Sequence, residues 1–168
     1  MGYHCTSCGK YHPERPTAWK FDMPAVVAEV EESEVKRRVE LLSEQCVLDE
    51  KHFYILGTLD VPIQGTAEFL RWTVWGSLSQ ENFERASDLW TTPGRESEKP
   101  YFSWLSNHIP GYPSSINIKA LMHTQPVGIR PRIEVIEEDH PLRIDQRDGI
   151  TMERADSLIH AAMDRSPA

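Results

Sequence analysis

No run of about 18 consecutive apolar residues occurs in the 168-residue chain, so a membrane-crossing helix is excluded. Cysteine is scarce: Cys5, Cys8 and Cys46 are the only three. So small and odd a number cannot build the multi-bridge framework of a small secreted protein, and it points to a reducing compartment. Positive charge is also in short supply. Eighteen lysines and arginines stand against 26 aspartates and glutamates, a net charge of −8, which opposes broad contact with a nucleic-acid backbone. The opening Met1-Gly2-Tyr3-His4-Cys5 has neither the basic nor the apolar region of a secretory leader, and the expected location is cytoplasmic. The G-x-S-x-G, G-x-G-x-x-G, P-loop and H-E-x-x-H motifs are all missing, so the commonest hydrolase, nucleotide-binding and zinc-peptidase chemistries have no local signature. Repeats and low-complexity tracts are absent too.

The rest is ordinary globular composition, 39% apolar and 26% charged, over a length that suits one domain spanning 1–168. Pro13, Pro16 and Pro24 make 13–24 an extended, irregular connection. Ala25 to Val30 reads as a short helix. Val35, Val39 and Leu42, at i, i+4 and i+7 behind Ser33 as N-cap, predict a second. Val47-Leu48 and Phe53 to Leu56 flank Asp49-Glu50-Lys51 as a hairpin, with Gly57 marking a bulge before Leu59 to Val61. Phe69 to Leu78, rich in aromatic and β-branched residues, reads as a central strand with both faces partly buried, where Trp72 and Trp75 point to opposite sides.

Ser79 caps a helix that ends near Trp90, with Leu78 and Phe83 as its hydrophobic staple. Tyr101 to Leu105 is a short aromatic element. Ile116, Ile118, Ala120 and Met122 alternate with polar or exposed positions, and Arg132 to Ile136 should pair with that strand. His140-Pro141 opens a turn or short helix ending near Gly149. Thr151 caps a final helix over 151–164, with Ala155, Leu158, Ile159, Ala162 and Met163 on its apolar face. Strands adjacent in sequence and joined by turns give the expected fold class: α+β, an antiparallel β-sheet with helices packed on one side and an N-terminal zinc-knuckle-like Cys-x-x-Cys turn.

Cys5-Thr6-Ser7-Cys8-Gly9 carries the clearest chemical signal. Two thiolates at this spacing grip one ion across a tight turn, and Gly9 permits the positive φ that lets backbone N–H groups point at sulfur. His12, four residues past Cys8, is within reach of the same ion. A closed tetrahedral shell needs four ligands. Cys46 is the natural third thiolate, and His12, His4, His123 and His140 compete for the last place. The leading set is Cys5, Cys8, His12 and Cys46, holding a structural Zn2+ that fastens the terminus to the core. Flanked by Gln45 and Val47, Cys46 also reads as a small buried apolar residue.

Acidic residues cluster at Glu29, Glu31, Glu32, Glu34, Glu40, Glu44, Asp49 and Glu50, against only Lys36, Arg37 and Arg38. This is either a solvated face or a docking surface for a basic protein. Trp19 and Trp104 are the tryptophans left as candidate interface anchors. The expected function is therefore a non-enzymatic, acidic, zinc-stabilised binding protein, and in its most specific version an immunity or antitoxin protein that blocks a bacterial toxin. The rival is a metal- or cysteine-dependent enzyme using Cys46 or the metal with His123 or His140. A patch of Arg130, Arg132, Arg143 and Arg147 is the one feature that would favour nucleic acid.

Several motifs together resemble a bacterial family filed as domain of unknown function 2199. They are Cys5-x-x-Cys8-Gly9-x-x-His12, Cys46-Val47-Leu48-Asp49, Trp72-Thr-Val-Trp75-Gly-Ser-Leu-Ser79, Asn82-Phe83, Pro100-Tyr-Phe-x-Trp104-Leu105, Asp139-His140-Pro141-Leu142 and Gln146-Arg147-x-Gly149-Ile150-Thr151. The likeness runs over nearly the whole chain. It implies a bacterial, cytoplasmic, single-domain protein, and that Cys5, Cys8, His12, Cys46, His123 and His140 stand where the family pattern has the same residue types. It implies no activity.

Overall fold

Residues 2–164 are described by the computed structural model. In chain order the elements are β1 (Tyr3–His4), β2 (Tyr11–His12), β3 (Ala18–Lys20), α1 (Ala25–Ala28), α2 (Glu32–Arg38), β4 (Val39–Leu41), β5 (Gln45–Leu48), β6 (His52–Pro62), β7 (Phe69–Leu78) and α3 (Gln80–Asp88). A 3-10 turn (Arg95–Ser97) precedes β8 (Tyr101–Leu105), β9 (Lys119–His123), β10 (Arg132–Val135), α4 (Pro141–Asp148) and α5 (Met152–Asp164). No described helix is long and apolar enough to cross a membrane.

Strands β6 to β10 form a meander, each antiparallel to the next. Five is an odd number, so the last strand runs in the direction of the first. Accordingly β10 closes onto β6 in parallel, with Arg132 opposite Thr58, and the Thr58 N–H donates to the Pro131 carbonyl at 2.9 Å. The result is a closed five-stranded barrel. The α+β class holds, but the expected layer of antiparallel sheet with helices on one side is corrected. Closure depends on bringing β10 against β6, and Gly57 makes room for it. A Cβ at Gly57 would stand 2.8 Å from Ile133 Cδ1 and 2.9 Å from the Pro131 carbonyl oxygen. Gly57 therefore marks a close approach and not the expected bulge, and the β6–β7 register is unbroken from Phe53↔Leu78 to Pro62↔Phe69.

The wall made by β6 and β7 is buried on both faces, because successive side chains point to opposite sides. Ile55, Leu59, Trp72 and Val74 enter the main core with Leu105, Met122, Ile133 and Val135. Leu142 of α4 and Ala155, Leu158, Ile159 and Ala162 of α5 join that core. Leu56 and Trp75 instead enter a second cluster with Val27, Cys46, Leu48 and Tyr54. The expected divergence of Trp72 and Trp75 is observed, and each is 1% exposed.

Beyond the barrel, β5 and β4 extend the sheet from β6, and β3 lies parallel to β7. Two expectations are corrected here. The segment 13–24 contains a strand, in which Trp19 stacks on Trp72 at 4.6 Å between ring centroids. The helix expected through Leu42 ends at Arg38, starts behind Glu31 instead of Ser33, and gives way to β4. The β-branched Val39 pairs opposite Leu48, so sheet pairing overrides the helical spacing.

Locally specified elements form as expected. Asp49 and Glu50 both take positive φ (54° and 55°), the backbone of a type I′ hairpin turn. The Ser79 hydroxyl accepts from Asn82 N–H at 3.2 Å to cap α3, and the Thr151 hydroxyl accepts from Arg154 N–H at 3.2 Å at the start of α5.

Arg85 of α3 is clamped across the following loop by Glu98, at 2.6 Å through two N–H groups, and Tyr101 of β8 donates to the same carboxylate at 2.8 Å. These partners, Arg85 first, hold the Glu98 carboxyl down at about 2. A depressed carboxyl stabilises the fold above its unfolded pKa, and that contribution is lost as the pH falls towards 2. The melting temperature of Glu98→Gln is therefore expected to be lower than wild type at neutral pH and to converge with it in acid. A constant gap across that range would refute the clamp.

Candidate metal centre

The amino-terminal turn is closed by its own backbone. Gly9 N–H donates to the Cys5 carbonyl at 2.8 Å, and Cys5 N–H donates to the Lys10 carbonyl at 2.9 Å. Gly9 sits at φ 70°, in the left-handed region that a side chain would resist. The flanking strands β1 and β2 pair in antiparallel register, Tyr3 opposite His12 and His4 opposite Tyr11. Two pairs of residues cannot sustain a hairpin alone, so something else must hold it.

One candidate is the group of donors the turn brings together. One ligand atom each from Cys5, Cys8 and His12 lies within 4.8 Å of the other two. Cys8 Sγ and His12 Nε2 are 3.3 Å apart. Zinc–sulfur and zinc–imidazole bonds meeting at a tetrahedral angle would separate those atoms by about 3.5 Å, so the donors fit one ion. Burial pushes the Cys5 thiol up, but the N–H groups of Cys8 and Ser7 and the Cys8 thiol pull it down further, and the net shift is below the ordinary thiol range. The thiolate that a metal needs is thus favoured at the buried ligand.

The other support comes from α5. Tyr3, buried, stacks on His12 at 5.4 Å between ring centroids, and the Arg15 guanidinium lies over the Tyr3 ring, 4.4 Å from its centroid. Arg15 then reaches α5, donating to Met152 Sδ at 2.9 Å. Its Nη2 stands 3.0 Å from Asp156 Oδ1 and 3.4 Å from Oδ2. The longer contact has hydrogen-bond geometry and the shorter one is electrostatic. Asp156 is only 3% exposed, and burial pushes its carboxyl up against the opposing pull of Arg15. Tyr3, Arg15, Met152 and Asp156 were not among the candidates from sequence. The Arg15–Asp156 pair spans 141 residues, and no spacing signal reaches that far.

The remaining candidates stand elsewhere. Cys46 is fully buried on β5 within the second core cluster and is not in the three-residue group. Burial pushes its thiol up to about 11. The thiolate fraction at neutral pH is therefore about a hundredfold below that of an ordinary thiol. In native protein, alkylation followed by mass spectrometry is expected to spare Cys46 until the chain unfolds; rapid labelling would contradict this burial.

His140 caps α4. Its Nδ1 accepts from Leu142 N–H at 3.2 Å, so Nε2 carries the proton and donates to the Pro113 and Ser114 carbonyls at 3.2 and 3.1 Å. His123, on β9, has Nε2 3.7 Å from Glu134. His4 packs edge-on against Tyr11. The basic patch is neutralised residue by residue: Arg130 by Glu44, Arg132 by Glu134, Arg143 by Glu138 and Arg147 by Asp148.

Comparison with known proteins gives one family and no nearer neighbour. No curated protein and no solved structure matches the chain. The model of one family covers residues 4–150, a span that includes Cys5, Cys8, His12 and Cys46. The chain therefore belongs to the family described as uncharacterized protein conserved in bacteria (DUF2199).

Proposed function

We propose that this chain is a non-enzymatic cytoplasmic binding protein whose amino-terminal hairpin is fastened by a structural zinc ion and whose acidic segment meets a basic protein. The observation that carries the metal half is the convergence of Cys5, Cys8 and His12 in a turn propped on α5. Two soft thiolates and an imidazole suit zinc above magnesium or calcium. Cys5, Cys8 and His12 would hold the ion, whose contribution is to tie the two strands together. Untagged protein is expected to contain one zinc per chain by elemental analysis, and Cys5→Ser/Cys8→Ser none. Metal-free wild type removes the reading.

The partner half draws on residues 26–50. Glu34, Glu44 and Asp49 are paired with Arg37, Arg130 and Arg38, which leaves Glu29, Glu31, Glu32, Glu40 and Glu50 exposed. Val26, Val35, Leu41 and Leu42 are exposed among them. Strand β4 ends the sheet, so its outer edge has no strand partner among the described residues. Carboxylates interleaved with apolar side chains suit a basic surface that carries apolar anchors. In the specific version we favour, that surface belongs to a bacterial toxin and this chain is its immunity protein or antitoxin. Charge reversal at Glu29, Glu31 and Glu32 is then expected to abolish toxin binding, and deletion of the gene to sensitise the host. Unchanged sensitivity removes this version.

A second reading is favoured by the ligand count. Three protein ligands, two of them part-exposed, resemble a catalytic zinc site more than a closed structural one. X-ray absorption separates the two: a water-derived oxygen in the ion's shell favours an enzyme, and a fourth protein donor favours the staple.

A further inference from the structure

A feature that neither the metal centre nor the exposed acidic side chains use is a cavity of about 490 Å³ at the seam where the barrel closes. Its volume lies in the range of small-molecule sites. Thr58 of β6, Arg71 of β7, Trp90 beyond α3, Arg95, Glu44 and Arg130 line it.

The charges around this cavity do not cancel. Arg71 is held side-on by Asp60 at 2.7 and 2.8 Å, and Arg130 by Glu44 at 2.8 and 2.9 Å. Arg95 has no such partner. It is 9% exposed, and its guanidinium donates only to main-chain carbonyls, those of Gln125 (2.8 Å), Trp90 (2.9 Å), Ile129 (3.1 Å) and Pro126 (3.2 Å). Among the described residues no carboxylate pairs with it. Carbonyl dipoles satisfy its hydrogen bonds but not its formal charge, and an uncompensated buried cation is costly. That is unusual in a chain carrying 26 acidic residues, which pairs its other cavity-lining guanidiniums bidentately. Arg71 and Arg130 each use Nε and Nη2 for their carboxylates, and among the described residues Nη1 of each has no hydrogen-bond acceptor.

We propose that this cavity binds a small organic oxyanion, a phosphate or carboxylate, whose charge compensates Arg95 and whose body lies against Trp90 and the neighbouring apolar wall. Guanidinium forks match the geometry of oxyanions, and Nη1 donors beside a net positive charge give the recognition its sign. The site needs neither the zinc ion nor a protein partner, so its failure would leave those readings standing.

The test is a titration with phenyl phosphate, benzoate and neutral benzyl alcohol, followed by the Trp90 indole and arginine side-chain signals in nuclear magnetic resonance spectra. Saturable binding of an anion, weakening with salt, is expected, with benzyl alcohol inert. The stronger of phenyl phosphate and benzoate identifies the oxyanion. Two surface variants shift the local charge without touching the core. Glu44→Gln should tighten anion binding about tenfold, and Arg130→Gln, which leaves Glu44 unpaired, should weaken it about tenfold. Equal binding of benzyl alcohol, indifference to both variants, or no saturable binding of either anion overturns the proposal and leaves Arg95 a purely structural tie.

Discussion

Stripping the metal with a chelator, or replacing Cys5 and Cys8 by serine, is expected to release residues 2–15 while leaving the barrel folded. The reason lies in what supports each part. Tyr3 and Cys5 are buried, yet neither belongs to the main core nor to the second cluster. Without an ion the hairpin is left with two residue pairs, the two backbone bonds of its turn, the Tyr3–His12 and His4–Tyr11 ring contacts, and the reach of Arg15 to Tyr3, Met152 and Asp156. Ordering those residues costs about 1–2 kcal/mol each in backbone entropy. Zinc held by thiolates and imidazole contributes about 10–16 kcal/mol in peptide systems, a large share of that cost, with the contacts to α5 supplying the rest. Hydrogen exchange resolved by residue should show protection at Cys5, Gly9 and His12 collapsing to that of free peptide, with β6 and β7 unchanged. Retained protection in metal-free protein would mean that α5 alone secures the hairpin, and the structural-zinc reading would fall.

Gly57→Val is expected to destabilise the barrel strongly, by about 3 kcal/mol. Most overpacked side chains relieve strain by rotating, but here one of the opposing atoms is the Pro131 carbonyl oxygen, 2.9 Å from the new Cβ. That carbonyl accepts the Thr58 N–H bond which closes the barrel. Relief therefore requires β10 to move off β6. Gly57→Ala should cost less, and combining it with Ile133→Val should recover part of the loss, since the Ile133 side chain is the other close neighbour at 2.8 Å. Chemical denaturation of the series measures this directly. A midpoint for Gly57→Val equal to wild type would show that the closure is not tight.

Much of the secondary structure was legible because its causes are local. The Ser79 and Thr151 caps, the hairpin loop Asp49-Glu50-Lys51 and the run Phe69 to Leu78 carry their instructions within a few residues, and each forms as read. Where neighbours in space decide, local reading fails. Val39 and Leu42 have helical spacing, yet β5 offers Val39 to Leu41 a strand partner and takes them. Ala18 to Lys20 sits among prolines and becomes a strand because β7 has an unpaired stretch beside it.

The candidate site divides the same way. Cys5, Cys8 and His12 lie within one turn, so spacing alone brings their donors together. Cys46 shares their chemistry, but its place is set by β5 and the apolar neighbours Val27, Leu56 and Trp75.

From the sequence alone followed a metal-type turn at the amino terminus, an acidic chain without a membrane helix, and most of the helices and strands, because short-range geometry and summed charge do not depend on how the chain is folded. Only the tertiary structure decided that the strands close into a barrel, that Arg15 reaches Asp156, that Cys46 stands apart from the other thiols and that Arg95 is buried with no carboxylate partner among the described residues. Each of those depends on segments distant in the chain, whose meeting is selected by packing and by closure of the hydrogen-bonded sheet rather than by any residue's neighbours in sequence.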